Sequence, residues 1–150
     1  DWYRSACEAI RACVETNRFS PKDVLGISID GPAHSVALMD ERGCILYPTI
    51  NWCDLRSQVQ TDFLIRNYNK RLFELTYQCA NPSWTLSHLL WLRENEPFVW
   101  KKLSKILVTK DYVAYRFTGA YHTDRYDAIG TQLYDITTDS WSEELVEFWD

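Results

Sequence analysis

The sequence predicts an α/β fold, in which helices pack against a sheet, and two observations support this prediction. Short apolar runs that are typical of strands occur early in the chain and again at Lys105 to Val108. Longer segments with apolar residues at helical spacing lie before and between these runs. Strands and helices therefore alternate along 150 residues, a length that suits one domain with a core of its own.

In chain order, one helix comes first and three strands follow it. Apolar residues at helical spacing predict an amphipathic helix over residues 2 to 16. Val24 to Ile29 is a short apolar run that predicts a buried strand. Ser35 to Met39 predicts a second strand, and a turn at Glu41 to Gly43 joins it in a hairpin to a third strand at Ile45 to Tyr47.

The middle of the chain is helical in pattern. Residues from Asp54 to about Leu103 predict helices that are interrupted at Pro82 and Pro97, because proline lacks the N–H that a helix interior needs. Pro97 also suits the first position of a new helix. Asp54 is a candidate N-cap for the first of these helices. Lys105 to Val108 then predicts a brief strand.

Two more helices are predicted in the last third of the chain. Residues 111 to 117 form the first, and Gly119 suits its C-terminal cap because glycine readily adopts a left-handed backbone. Ser140 and Glu143 have the spacing of a capping box. This spacing predicts that a last helix begins there and continues to Asp150.

Composition limits the classes of function. The net charge is −5 and no segment gathers five basic residues, so we expect no general nucleic-acid surface. No apolar run reaches membrane-spanning length, so we expect no membrane partner. The five cysteines form no Cys-x-x-Cys pair, which disfavours a zinc site and predicts reduced, mostly buried thiols in a cytoplasmic protein.

The first candidate site is the turn Asp30-Gly31-Pro32 with the Ala33-His34 pair that follows it. In open α/β sheets ligands bind just outside strand ends, and this turn directly follows a predicted strand. The His34 ring could hydrogen-bond a ligand hydroxyl, and Asp30 could accept a hydrogen bond from one. Alternatively, His34 satisfies backbone groups of the loop and Asp30 stabilises the turn.

The second candidate site is the triplet of Trp52, Asp54 and Arg56. Trp52 could offer an aromatic face to the apolar patch of a sugar, and Arg56 could pair with Asp54. A capped helix that contains a buried tryptophan explains the same spacing equally well.

Two further segments carry no chemistry by themselves. Ser83 to Asn95 has the pattern of an amphipathic helix with a polar start, for which core packing is the favoured interpretation. Lys110 to Tyr112 and the run from Thr123 to Thr131 are typical of a turn-rich, hydrogen-bonded connection. The five glycines are too scattered for a Walker motif or a Gly-rich dinucleotide loop, so we expect no nucleotide phosphate cradle in this chain.

Taken together, these segments resemble the FGGY carbohydrate kinases, and within that family most closely the xylulokinases. The loop from Gly31 to Ser35 and the strand that ends at Asp40 are similar to the family's Gly-Gln-Met-His-Gly loop and the strand after it. The family's Trp-x-Asp-x-Arg motif is present from Trp52 to Arg56. Four further family motifs match in order, at Thr85 to Trp91, Lys110 to Tyr112, Arg116 to Gly119 and Thr123 to Thr131.

Three departures from the family pattern concern the sugar more than the family. Pro32-Ala33 replaces Gln-Met, which makes one wall of the implied pocket smaller and stiffer. His88 stands where the first signature has lysine. Tyr126 and Ile129 are bulkier than the serine that is common at those positions. These changes weaken the assignment to xylulose.

The resemblance implies part of the N-terminal, sugar-binding domain of a ribonuclease H-like (actin-like ATPase) fold. An upstream phosphate-binding hairpin, a downstream catalytic Asp and a C-terminal domain would lie outside residues 1–150. The implied parent is a cytoplasmic enzyme that uses ATP and Mg²⁺ to phosphorylate a small-molecule ketose or polyol, with D-xylulose favoured. This part would bind neither ATP nor Mg²⁺, is expected to be inactive alone, and could form a homodimer through an uncovered apolar face.

The resemblance also implies which residues contact the sugar. It assigns this contact to Ala33 and His34, with the His34 ring hydrogen-bonding a hydroxyl. Trp52 and Trp84 would wall the pocket, and Asp54 would orient a hydroxyl or hold the neighbouring arginine. The alternative function is a non-catalytic carbohydrate-binding or regulatory module on the same fold, which would bind sugar without ATP turnover. A ribonuclease H-like nuclease is weaker, since the sequence offers neither a suitable carboxylate cluster nor a basic face.

Overall fold

A computed structural model describes residues 2–147 of the chain and has a mixed α/β architecture. The longer strands are β1 (Val36–Met39), β2 (Ile45–Tyr47) and β3 (Lys105–Val108). They form one antiparallel sheet in the order β2-β1-β3, so β1 lies at its centre. Two shorter strands, β4 (Tyr134–Asp135) and β5 (Ser140–Trp141), form a separate antiparallel pair.

Helices cover the sheet and make up most of the remaining regular structure. Their bounds are α1 (Trp2–Asn17), α2 (Gln58–Thr76), α3 (Thr85–Asn95), α4 (Pro97–Trp100), α5 (Thr109–Thr118), α6 (Arg125–Gly130) and α7 (Glu143–Val146), with a 3₁₀ turn at Pro21–Asp23. None of the helices in this part of the chain combines the length and the apolarity that crossing a bilayer requires.

The central strand β1 is buried on both faces because its side chains alternate between two clusters. Val36 and Leu38 pack with leucines of α2 and α3 in the larger cluster. Ala37 and Met39 pack with Tyr112 of α5 in the smaller one. Fully burying side chains of the larger apolar types contributes about 1.5–3 kcal/mol each, so β1 stabilises the core on both of its faces.

The strand predicted at Lys105 to Val108 is confirmed as β3, and three further predictions are confirmed with nearly the predicted bounds. The first helix is α1, and the predicted hairpin joins β1 to β2. Asp40 closes this hairpin, since its carbonyl accepts from Gly43 N at 3.0 Å. The helix predicted over residues 111 to 117 is α5, and Gly119 ends it with a left-handed φ of 75°.

The buried strand predicted from Val24 to Ile29 is wrong for this structure. The described part of the chain contains no strand in this segment, and Val24, Leu25 and Ile27 are exposed. An apolar run becomes a strand only when a neighbouring strand takes up its backbone N–H and C=O groups. No described strand does so here, and the apolar side chains stay in contact with solvent.

The helix boundaries required two corrections. The N-cap of α2 is Ser57 rather than Asp54, because the Asp54 carboxylate is engaged by Arg56 instead. The last described helix begins after Ser142, whose Oγ accepts from Leu145 N at 3.2 Å, whereas Ser140 of the predicted capping box belongs to β5. The final three residues of the predicted last helix lie outside the described residues.

The cysteines are free, as predicted, but they are not mostly buried. Cys7 is half-buried, and the other four are exposed: Cys13, Cys44, Cys53 and Cys79. The prediction of burial was wrong because cysteine behaves as a small apolar residue only where the fold turns it inward.

Candidate functional site

His34 lies in the turn that leads into β1 and has a left-handed backbone, with a φ of 61°. Histidine is one of the few residues besides glycine that are enriched in this region, yet the conformation persists only where the surroundings hold it. Gly31, three residues earlier, approaches α5 so closely that a Cβ would lie 2.9 Å from Thr109 Oγ1. The turn is therefore pressed against the start of α5.

The ring of His34 is oriented by a backbone carbonyl of α6. Its Nδ1 lies 2.8 Å from the Gly130 oxygen. Because a carbonyl oxygen can only accept, Nδ1 carries the proton, and Nε2 of the neutral ring is an acceptor. No hydrogen bond from residues 2–147 reaches Nε2. A Cβ on Gly130 would lie 3.2 Å from the His34 ring, so glycine suits this close approach.

Trp84 supplies the second contact to the His34 ring. The two rings stack with their centroids 4.5 Å apart and their planes 19° from parallel. Trp84 is the residue before α3, and the next residue, Thr85, donates from Oγ1 to the His34 carbonyl at 3.3 Å. Leu86 N donates to the Thr131 carbonyl at 3.1 Å. The start of α3, the His34 turn and the end of α6 therefore meet at one place.

Trp52 is tied to the same turn through its backbone. Ser35 Oγ accepts from Trp52 N at 3.0 Å and donates to Asn51 Oδ1 at 2.9 Å. The residue beside His34 therefore fixes the start of the Trp52 loop. The Trp52 side chain is 53% exposed, so the interpretation of a buried tryptophan is wrong.

Asp54 is occupied by Arg56. Its Oδ2 accepts from Arg56 Nε at 3.0 Å and from Nη2 at 2.7 Å, while Oδ1 accepts from the Arg56 backbone N at 2.9 Å. The hydrogen bond from the Arg56 side chain holds the pKa of Asp54 below its usual value. The Arg56 guanidinium also lies over the Trp91 ring, 4.8 Å from its centroid. The pair thus connects the Trp52 loop to α3.

His88, which stands in place of the family's lysine, is almost fully buried under this loop. Its Nε2 donates to the Asp54 carbonyl at 3.2 Å. Burial lowers the pKa of His88, which keeps the ring neutral at pH 7. The neutral histidine therefore holds the backbone of the Trp52 loop at Asp54 without adding a charge.

A lysine and three aspartates form a second polar cluster at the start of α5 and α6. Lys110 Nζ lies 2.6 Å from Asp111 Oδ1, 2.8 Å from Asp124 Oδ2 and 2.8 Å from Asp127 Oδ2. Burial alone would lower the pKa of Lys110, but the three carboxylates outweigh it and raise that pKa above its usual range. Hydrogen bonding to Lys110 in turn lowers the pKa of Asp124. The ammonium is therefore permanently charged at physiological pH.

The structure brings some of the predicted site residues together, whereas the Asp54 carboxylate is occupied by Arg56. His34 and Trp84 are in direct contact, Ala33 is half-buried beside them, and Trp52 joins them through Ser35. Asp54 faces Arg56. Sequence reasoning did not assign a role to Gly130 or Lys110. The spacing of Asp124 and Asp127 in the first turn of a helix was the one available sign of the Lys110 cluster.

Residues 2–147 offer no evident metal site. Five cavities in residues 2–147 are lined by other side chains, and His34 and Trp84 line none of these five. The same residues contain no group of three or more His, Cys, Asp or Glu side chains arranged to hold a metal ion. The three aspartates at Lys110 do not fit a metal because an ammonium already lies among them.

The domain is a mixed α/β one, with helices on both faces of a small sheet and polar and aromatic side chains gathered at the turn before β1. Its likeness to solved structures of sugar kinases assigns it to the ribonuclease H-like (actin-like ATPase) class. The chain belongs to the FGGY family of carbohydrate kinases, since the sequence profile of that family's N-terminal domain matches residues 1–150.

Relatives and solved structures agree with this assignment. A xylulose kinase of Lactococcus lactis is 39% identical over 134 residues, which are 89% of this chain and 26% of the relative. One from Bacillus subtilis is 34% identical over 97% of this chain and 29% of the relative. The structure of a xyloylose kinase from Brucella ovis superposes with a TM-score of 0.85 at 30% identity, covering 97% of this chain and 29% of that one. The chain thus spans less than a third of these proteins.

Proposed function

We propose that this chain is the sugar-positioning part of an ATP-dependent kinase that phosphorylates a hydroxyl of a ketose or related polyol. Family membership supports a carbohydrate substrate, and the names of the similar proteins favour D-xylulose. Because the chain spans less than a third of those relatives, the activity would belong to a longer parent protein. The phosphate-binding hairpin, the catalytic Asp and the C-terminal domain would lie outside residues 1–150.

The observation that carries this proposal is the orientation of His34. The Gly130 carbonyl holds the proton on Nδ1, and this leaves Nε2 as an acceptor for a sugar hydroxyl. Leaving a buried polar group unpaired costs about 1–3 kcal/mol. A sugar whose hydroxyl has the wrong configuration would therefore bind about ten-fold or more weakly than its epimer. One fixed acceptor is therefore enough to distinguish epimers.

The neighbouring side chains would complete the sugar-binding surface. The exposed Trp52 ring suits an apolar sugar face, and Ala33 leaves room next to His34. Trp84 already uses one ring face for His34, so it would contact the sugar through its remaining surface. Of the two roles open to Asp54, its bonds to Arg56 favour holding the Trp52 loop over binding a hydroxyl.

The family implies ATP and Mg²⁺ in the parent enzyme. Nucleotide and metal binding would belong to the parts of that enzyme outside residues 1–150, as the family resemblance implies. In this chain the chemistry is therefore positioning, which is a large share of what a phosphoryl-transfer enzyme must supply. The five free cysteines suit a reducing, cytoplasmic location.

The test is an ADP-release screen of the full-length protein against ketoses and polyols, with His34→Ala and His122→Ala compared on the best substrate. We expect His34→Ala to lower kcat/KM about ten-fold or more, because the hydroxyl loses its acceptor. His122 is exposed and serves as the matched control, for which we expect no change.

Two outcomes would contradict the proposal. If His34→Ala left kcat/KM unchanged, His34 would have no role in sugar binding. If the full-length protein bound a sugar but released no ADP with any of them, the chain would instead belong to a non-catalytic carbohydrate-binding module.

A further inference from the structure

The orientation of the His34 ring depends on α6, a helix too short to be stable by itself. α6 has six residues, and isolated helices shorter than about 12–15 residues are marginal in water. Its last residue supplies the carbonyl that holds His34 Nδ1. Whatever fixes the beginning of α6 therefore also fixes the His34 ring at its end.

The beginning of α6 is fixed by Lys110. Asp124 is the N-cap and accepts from Asp127 N at 3.0 Å, and both carboxylates also accept from Lys110 Nζ. The ammonium has three N–H donors, and Asp111 accepts the third. The Lys110 side chain is only 15% exposed, so no solvent ion would easily replace it.

The residue before Lys110 holds the opposite side of the His34 turn. Thr109 Oγ1 donates to the Pro32 carbonyl at 2.9 Å, and Thr109 N donates to the Ser35 carbonyl at 3.2 Å. The first turn of α5 thus contacts the chain on both sides of His34 and reaches its ring through α6. Loss of the lysine charge would leave three carboxylates close together, two of them nearly buried, and their repulsion would displace α6.

We propose that Lys110 is a positioning residue of the sugar site, which anchors α6 so that the Gly130 carbonyl keeps the proton of His34 on Nδ1. It does not contact the sugar, and it acts only through His34. This inference rests on the proposed function for its kinetic consequence, but its structural consequence can be measured without a substrate.

The first experiment uses ¹⁵N-histidine NMR of this chain, whose three histidines give a simple spectrum. We expect the Nδ1–H tautomer at His34 in the wild type, its loss in Lys110→Met, and its recovery in Lys110→Arg, which keeps the charge. Lys70→Met is the matched control, because Lys70 is 93% exposed. An unchanged His34 tautomer in Lys110→Met would overturn the proposal.

If Lys110→Met does not fold, Asp124→Asn decides the question. Asparagine is as good an N-cap as aspartate, so α6 is retained while one carboxylate contact to Lys110 is weakened. We expect a mixture of His34 tautomers in this variant. A spectrum identical to that of the wild type would again overturn the proposal.

The second experiment measures kinetics of the full-length protein. We expect Lys110→Met to raise the sugar KM about ten-fold, with the KM for ATP unchanged and partial rescue by Lys110→Arg. A fall in kcat alone, or an equal change in both KM values, would indicate a merely structural role. If the wild type phosphorylates no sugar, the proposed function fails, while the NMR result still decides the role of Lys110.

Discussion

Two apolar segments on either side of the His34 turn differ in structure, since one is a buried strand and the other is not a strand. Residues 36–39 form the central strand, where Leu38 is 1% exposed. Residues 24–29 have a similar apolar character, yet the structure forms no strand there and Leu25 is fully exposed. The difference is pairing, because β1 has a neighbour on each edge whereas residues 24–29 have none in the described part of the chain. Strand formation is therefore decided by partners more than by the run itself.

The largest expected effect comes from the same substitution in both segments. Leu38→Ala should lower the free energy of unfolding by about 2–5 kcal/mol, because it leaves a cavity between the sheet and its helices. Leu25→Ala should change it by less than about 0.5 kcal/mol, as is usual for an exposed position. Urea unfolding of the 150-residue chain measures both values.

Equal effects of the two leucine variants would contradict this comparison. In particular, a large loss in Leu25→Ala would mean that residues 24–29 pair with something in solution, such as a second copy of the chain. A dependence of that loss on protein concentration would identify self-association, which stays a prediction.

A smaller effect is expected from two glycines, of which Gly26 lies in residues 24–29 and Gly31 in the turn before β1. Gly31→Ala should destabilise the chain by about 1–2 kcal/mol, because the new Cβ would lie 2.9 Å from Thr109 Oγ1 and disturb its hydrogen bond to Pro32. Gly26→Ala is the matched control, since nothing lies within 4 Å of a Cβ there. It should be neutral or slightly stabilising, because alanine reduces the freedom of the unfolded chain.

Thermal unfolding of the two glycine variants, monitored by circular dichroism, checks this prediction. If Gly31→Ala unfolds at the same temperature as Gly26→Ala, the turn is not pressed against α5 and the close approach described for Gly31 is incorrect.

The smallest effect is a loss of stability in acid at two ion pairs, Asp124 with Lys110 and Asp54 with Arg56. Hydrogen bonds from Lys110 and Arg56 hold the pKa values of Asp124 and Asp54 below 3.8. A lowered pKa stabilises the folded state above the pKa of the unfolded chain, and this contribution is lost as the pH falls through the folded value. Each of these partly exposed pairs should therefore contribute about 0.2–1 kcal/mol that is lost below about pH 5. A separate loss should begin near pH 6.5, because the unfolded chain takes up a proton at His88 more readily than the buried ring does.

Urea midpoints measured from pH 7 down into this acid range test the effect, and Asp124→Asn provides the control. This variant should lose less stability in acid than the wild type because one of the two carboxylates is gone. The same acid dependence in both proteins would mean that Asp124 does not contribute.

The family motifs predicted the fold class, which is confirmed, and a set of sugar-binding residues, whose role stays a prediction. The order of family motifs assigns His34, Trp52 and Trp84 to one sugar site, and the structure does bring two of these rings into contact. Motif order could not assign Lys110, because its three partners come from two helices. Nor could it decide between the two roles of Asp54, which depend on where the Arg56 side chain turns.

By itself, the sequence determined the family, the hairpin, the helices that carry strong periodicity, and the cap at Gly119. These features depend on residues close together in the chain or on motifs in a fixed order, for which local backbone preference and side-chain spacing suffice. The tertiary structure decided that residues 24–29 pair with no strand of residues 2–147, that Gly130 orients His34 and that Lys110 anchors α6. These features depend on contacts between groups up to 96 residues apart in the chain, and no local sequence pattern predicts such contacts.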